Sequence, residues 1–107
     1  MNPETSEAQY LDDESQTYSI AELIDQSGLS EFEIRTLVDS GALPLRDARG
    51  TTWTFSARCV VIARTASRLR HDLDLDDAHS LAVVLSFAQR VEALQREIAR
   101  LRARRGR

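Results

Sequence analysis

Residues 18–41 read YSIAELIDQSGLSEFEIRTLVDSG and carry the strongest structural signals in the chain. A serine followed three residues later by a glutamate occurs twice, beginning at Ser19 and at Ser30, and this is the spacing of a capping box at the start of a helix. Gly28 suits the left-handed residue that ends a helix. Apolar side chains recur at the spacing of one helical face in both halves. The stretch therefore predicts two short helices joined by a tight turn, the sequence form of a helix-turn-helix.

The next stretch, ALPLRDARGTTWTF at 42–55, predicts a small β wing. Its proline excludes a helix interior, and residues 47–50 are a cluster of turn-forming types. The run 51–55 alternates as a strand does, with Trp53 and Phe55 on one face. A two-stranded wing directly after a helix-turn-helix is the simplest interpretation.

Two more helices complete the predicted order. A serine can cap a helix that covers 57–71, after which the segment DLDLDD at 72–77 interrupts the pattern. A last long helix is predicted over about 75–102, with Asp74 or Asp76 as its cap. Aspartates at this end are favoured by the positive end of the helix dipole.

The last helix carries an apolar stripe. Its members alternate by three and four residues, which is the pattern of a coiled-coil seam. The stripe either covers the core of its own domain or pairs two copies of the chain, and we expect pairing because little domain is left to cover. The predicted dimer interface consists of Val84, Phe87, Val91, Leu94, Ile98 and Leu101.

Charge is distributed unevenly along the chain. Residues 1–50 carry eleven acidic side chains against three arginines, whereas residues 51–107 carry six against eleven. The first half should repel phosphate and attract basic surfaces, and the second half should do the opposite. Four parts are expected in order: a disordered acidic leader (1–17), a winged helix-turn-helix domain (18–73), a C-terminal dimerisation helix (74–103) and an Arg-rich tail (104–107).

Composition narrows the function classes. At 107 residues the chain has room for one domain. A single cysteine, Cys59, excludes an intramolecular disulfide and favours a reducing cytoplasm, and the longest apolar run, 81–85, is too short to cross a membrane. Two histidines, His71 and His79, are too few to build a metal or catalytic site. We expect a cytoplasmic binding protein without a cofactor or metal, and no enzyme.

The order of these elements resembles the MerR class of regulators. More closely, TTWTF at 51–55, RLRHDLDLDD at 68–77 and LAVVLSF at 81–87 resemble the chaperone-modulator family, CbpM. The resemblance covers roughly 18–102 and implies a mainly α fold: a MerR-like winged helix-turn-helix with a small β-hairpin wing and a long C-terminal dimerisation helix. The chain departs from the family pattern in its acidic leader and in the lack of an aromatic residue and a proline near Asp77.

The resemblance also implies a partner. Members of that family bind the J-domain of a DnaJ-like co-chaperone of the CbpA type and inhibit its co-chaperone and DNA-binding activities. The homodimer is expected to be antiparallel, as in MerR relatives. The J-domain helix that docks on Hsp70 is basic, so an acidic surface that imitates Hsp70 would compete for it. The alternative is a solvated acidic face with no partner. The candidate J-domain contacts are Glu22, Asp25, Glu31, Glu33 and Asp39, followed by Asp72, Asp76 and Asp77, with Phe32 and Leu37 as possible apolar anchors.

The alternative function is a MerR-like DNA-binding transcriptional regulator. The second helix of the helix-turn-helix would then meet DNA, yet three of its side chains are acidic and one is basic. Acids facing phosphate reverse the electrostatic contribution that supplies most non-specific affinity for DNA. Arg35, Arg46 and Arg49 are the residues that could contact a DNA backbone, and DNA is the less favoured partner.

Overall fold

A computed structural model describes residues 16–49 and 52–106, and for residues 47–49 it describes the backbone only. The elements in order are β1 (Thr17–Ser19), α1 (Ile20–Ser27), α2 (Glu31–Asp39), β2 (Asp47–Arg49), β3 (Thr52–Ser56), α3 (Ala57–Asp72) and α4 (Ala78–Arg105). The predicted mainly α fold with a helix-turn-helix and a small wing is confirmed. Residues 1–15 of the predicted leader lie outside the described residues. The predicted end of the leader at residue 17 is too late, because strand β1 already begins at Thr17.

Both predicted capping boxes are present. The Ser19 hydroxyl oxygen accepts from the Glu22 N–H at 3.1 Å, and the Glu22 carboxylate accepts from the Ser19 N–H at 3.0 Å. Ser30 and Glu33 repeat the arrangement at 3.1 and 2.9 Å. Gly28 ends α1 in the left-handed conformation, with φ of 80°. Local hydrogen bonds therefore define the bounds of the helix-turn-helix.

The sheet has three antiparallel strands in the order β1-β3-β2. The predicted hairpin pairs Ala48 with Trp53, and β1 adds a third strand on the other side by pairing Tyr18 with Phe55. Two strands run straight into helices: Ser19 ends β1 and is the N-cap of α1, and Ser56 ends β3 and occupies the N-cap of α3. The expected side-chain cap by Ser56 is absent, since its hydroxyl points to the Cys59 sulfur at 3.7 Å.

The core lies where α1, α2, α3 and the first turns of α4 meet β3. Its largest fully buried side chains are Leu23, Leu29, Ile34, Leu37, Leu43, Phe55, Val60, Leu81 and Leu85. Helix α3 contributes Cys59 and Ala63 to this core, and both side chains are fully buried. Burial raises the pKa of the Cys59 thiol, which donates to the Pro44 carbonyl oxygen at 3.1 Å.

Helix α4 begins later and ends later than the sequence pattern indicated. Asp77 is its N-cap, in place of Asp74 or Asp76, and accepts from the Ser80 hydroxyl and N–H at 2.9 and 3.0 Å. These hydrogen bonds favour the charged carboxylate and hold the pKa of Asp77 below its ordinary value. The helix continues to Arg105, so half of the expected tail is helical. From residue 90 to 106 every residue is exposed, and this half of α4 projects from the domain.

Candidate functional site

Two of the predicted acidic contacts have structural duties. Glu22 and Glu33 close the capping boxes described above, and Glu33 also accepts from the Arg70 guanidinium at 2.6 Å. The Glu33 side chain is only 15% exposed. This ion pair connects residues 37 positions apart and joins α2 to the end of α3. Glu33 therefore stabilises the fold, and little of its carboxylate is accessible to a partner protein.

Arg35, the central residue of the DNA-binding alternative, is held on both sides. Its guanidinium pairs with Glu31 at 2.9 Å and lies 4.6 Å from the centre of the Trp53 ring on β3. Contact with a phosphate would have to compete with a carboxylate and an aromatic face. Arg46 donates to the Gln16 carbonyl oxygen at 3.4 Å, while the Arg49 side chain lies outside the described residues.

Several of the acids lie on adjoining ends of three elements. Phe32 on α2 packs edge-on against His79 on α4, with ring centres 6.5 Å apart, and the ion pair between Glu33 and Arg70 closes α2 onto α3. Phe32 is nevertheless 64% exposed. We call this surface the acidic face, and it comprises Phe32 with Glu31, Asp72, Asp76 and Asp77.

The two acids of α1 stand apart from the acidic face. Helix α1 packs against α3, where the Arg64 guanidinium donates to the Gln26 side-chain oxygen at 2.6 Å. Within the described part of the chain, no hydrogen bond or ion pair joins Glu22 or Asp25 to the acidic face. The structure thus divides the eight predicted acids among different surfaces.

A groove between α2 and α4, which the sequence did not reveal, has a volume of about 590 Å³. Its lining residues are Thr36, Asp39, Ser40, His79, Ala82, Val83, Ser86, Phe87 and Arg90. The lining is mostly apolar, and Asp39 contributes the only carboxylate among these described residues. A helical spacing of three and four on each wall is its only trace in the sequence, because the groove forms between helices distant along the chain.

The predicted apolar stripe lies uncovered along α4. Phe87, Val91, Leu94, Ile98 and Leu101 are between 46% and 61% exposed. Val84, the first predicted member, is half-buried against its own domain. Phe87 belongs both to the stripe and to the groove. An exposed apolar surface of this length is typical of a helix that packs against another protein chain.

Residues 16–49 and 52–106 also bear on metal binding and on membrane insertion. No three His, Cys, Asp or Glu side chains there lie close enough together to hold a metal ion. None of the described helices has an apolar stretch sufficient to cross a membrane.

Comparison with known proteins agrees with this architecture. Residues 18–103 match the family described as MerR HTH family regulatory protein. The chain is 34% identical over 88 residues to the chaperone modulatory protein CbpM of Escherichia coli O139:H28 (strain E24377A / ETEC) and to that of Shigella boydii serotype 18 (strain CDC 3083-94 / BS512). Each match covers 82% of this chain and 86% of the relative. The chain belongs to the CbpM family.

Membership in the CbpM family, within the MerR-like regulators, confirms the resemblance expected from the motifs at 51–55, 68–77 and 81–87. The matched residues 18–103 include the acidic face, the groove and the whole apolar stripe. The surfaces described above therefore belong to the part of the chain that is MerR-like. Both descriptions name a protein that regulates or modulates.

Proposed function

We propose that this CbpM-family chain is a chaperone modulator that binds the J-domain of a DnaJ-like co-chaperone of the CbpA type. By covering the J-domain surface that Hsp70 needs, it inhibits the co-chaperone, and it also opposes the co-chaperone's DNA binding. The observation that carries the proposal is the acidic face, where an exposed aromatic ring stands among carboxylates. The name of the relatives, chaperone modulatory protein, supports the same conclusion.

The chemistry of the acidic face suits a basic amphipathic helix. Asp72 and Asp76 make no ion pair within the described residues, and both are exposed. Their charges would speed encounter with a basic helix and select for it. Phe32 would supply buried apolar area, which is where most binding energy in an interface resides. The exposed carboxylates together with the Phe32 ring distinguish the acidic face from a charged surface that only contacts solvent.

The DNA-binding alternative has less support. Its central arginine is engaged by Glu31 and Trp53, as described above. The second helix of the helix-turn-helix also exposes Glu31 and Asp39 where a DNA reader needs positive charge.

We also propose that two copies pair through the apolar stripe on α4, with Val84 at its margin. Pairing would cover the exposed Leu94 and Ile98 side chains, which nothing in the described chain covers. A globular part this small gains stability from a second subunit.

The first test is a binding titration against the DnaJ-like co-chaperone of the same organism, with Hsp70 as competitor. We expect saturable binding that Hsp70 reduces. Phe32→Ala should weaken it about thirtyfold, as loss of a central aromatic anchor does. Asp72→Lys with Asp76→Lys should weaken it about tenfold, mainly through slower association and more strongly at low salt.

Asp25→Lys is the matched control, because Asp25 is an exposed acid on α1, a helix that contributes no residue to the acidic face. It should leave affinity within about twofold of the unmodified chain. Absence of binding at micromolar protein would reject the proposed function and reduce the family membership to a shared fold. If none of the three acidic-face substitutions changes the affinity for the co-chaperone, the docking surface lies elsewhere on the chain.

A further inference from the structure

The groove and the apolar stripe meet at Phe87, which lines the first and begins the exposed part of the second. A partner that covers the stripe must therefore pass the open side of the groove. Val83, the neighbouring groove residue, is itself 54% exposed and extends the apolar surface toward α2. A molecule that packs against the stripe would therefore also contact the groove.

The stripe is nearly symmetrical about Leu94. Phe87 and Leu101 stand seven residues on either side of it, and Val91 and Ile98 stand three and four residues away. In an antiparallel pair centred there, Phe87 would face the partner's Leu101. By the same register, Val83 would face the partner's Arg104 and Arg105, since both lie a further turn along α4.

Charge favours this antiparallel arrangement over a parallel one. The last turn of α4 carries Arg102, Arg104 and Arg105. Parallel pairing would place two such clusters side by side, with mutual repulsion. Antiparallel pairing instead moves each cluster to the groove, where Asp39 is exposed and makes no ion pair within the described residues.

The cations of the groove fit the same register. Arg90 lines the groove, and in the antiparallel pair it would lie near the partner's Glu97. Glu97 already pairs with Arg100 one turn later on its own helix, so it would sit between two guanidiniums. His79 is at the far end, where it contacts Phe32 and lies 3.8 Å from the Asp77 carboxylate. Arg90 and His79 therefore do not oppose entry of the partner's arginines near Asp39.

We propose that a second copy of this chain completes the groove, with the partner's Arg104 and Arg105 lying against Asp39 and their alkyl stems over Val83. The inference rests on the proposed pairing through the stripe, but not on the co-chaperone. It assigns Asp39 to the dimer and removes it from the set of co-chaperone contacts.

The decisive experiment mixes two charge-exchanged forms of the full chain. Asp39→Arg alone, or Arg104→Glu with Arg105→Glu alone, gives homodimers in which like charges meet at both grooves. Each should raise the dimer dissociation constant about tenfold in sedimentation equilibrium, since two contacts per dimer change sign. Mixed together, the two forms restore opposite charges at both grooves, and native mass spectrometry should find about nine-tenths heterodimers.

The control pair is Asp25→Arg mixed with Arg68→Glu, two exposed positions away from groove and stripe. It should give the statistical proportion, in which half of the dimers are mixed. A statistical proportion from the Asp39 and Arg104/Arg105 pair would overturn the groove assignment even if the chain is a dimer. A monomeric unmodified chain would overturn it together with the stripe, and co-chaperone binding by that monomer would show that the proposed function survives both.

Discussion

Leu94→Asp combined with Ile98→Asp is expected to turn the proposed dimer into monomers at all micromolar concentrations. The two side chains are 57% and 49% exposed on one chain and would be buried by its partner. A dimer of the variant would bury four carboxylates in an apolar seam, and each unpaired buried charge costs several kcal/mol, on the order of the whole association energy. Sedimentation equilibrium checks the result, with circular dichroism to show that α4 remains helical.

Ala99→Asp with Ala103→Asp is the matched control for the stripe. It adds the same two charges at the same spacing of four residues, on the face of α4 that points away from the stripe. Both alanines are exposed. The control should remain a dimer. A stripe variant that still dimerises as tightly as the control would place the interface somewhere else on the molecule.

Phe55→Ala should produce the largest loss of folding stability. Its ring is fully buried at the centre of the molecule, on the middle strand of the sheet, opposite Tyr18. Removing it leaves a cavity that strands on both sides prevent from closing, with an expected cost of about 3–5 kcal/mol in the free energy of unfolding. For a domain of this size that is a large share of the total. Urea denaturation measures the difference.

Trp53→Ala is the comparison, because Trp53 lies on the same face of β3 with its ring centre 6.4 Å from that of Phe55. Trp53 is only half-buried, and one face of its ring meets the Arg35 guanidinium. It should cost clearly less than Phe55→Ala despite its larger side chain. If Trp53→Ala proves the more damaging change, the core is centred nearer the wing than the structure places it.

Local signals explain what could be predicted from the sequence. The two Ser-x-x-Glu boxes and Gly28 act within one or two turns of chain, so they fix helix bounds wherever the rest of the molecule lies. The start of α4 was harder because DLDLDD offers several equivalent caps. Packing of Leu75 against the core selects among them, and that contact is not local.

What escaped prediction depends on contacts between distant residues. Strand β1 is three residues long and shows no alternation of its own, so only its pairing with β3 makes it a strand. The groove needs α2 and α4 to be placed side by side. The sequence also did not show which charged side chains are free to bind a partner. Glu33 pairs with Arg70, and Arg35 stacks on Trp53, only in the folded chain. Counting acids along a sequence therefore overstated the surface that a partner can use.

The direct passage from strand to helix at Ser19 and at Ser56 has a mechanical consequence. Both residues end neighbouring strands of the sheet and begin α1 and α3, with no loop between. A flexible loop would allow a strand to move without its helix, whereas a direct strand-to-helix junction couples the two movements. A displacement of β3 would therefore move the starts of α1 and α3 together, because β1 is hydrogen-bonded to β3.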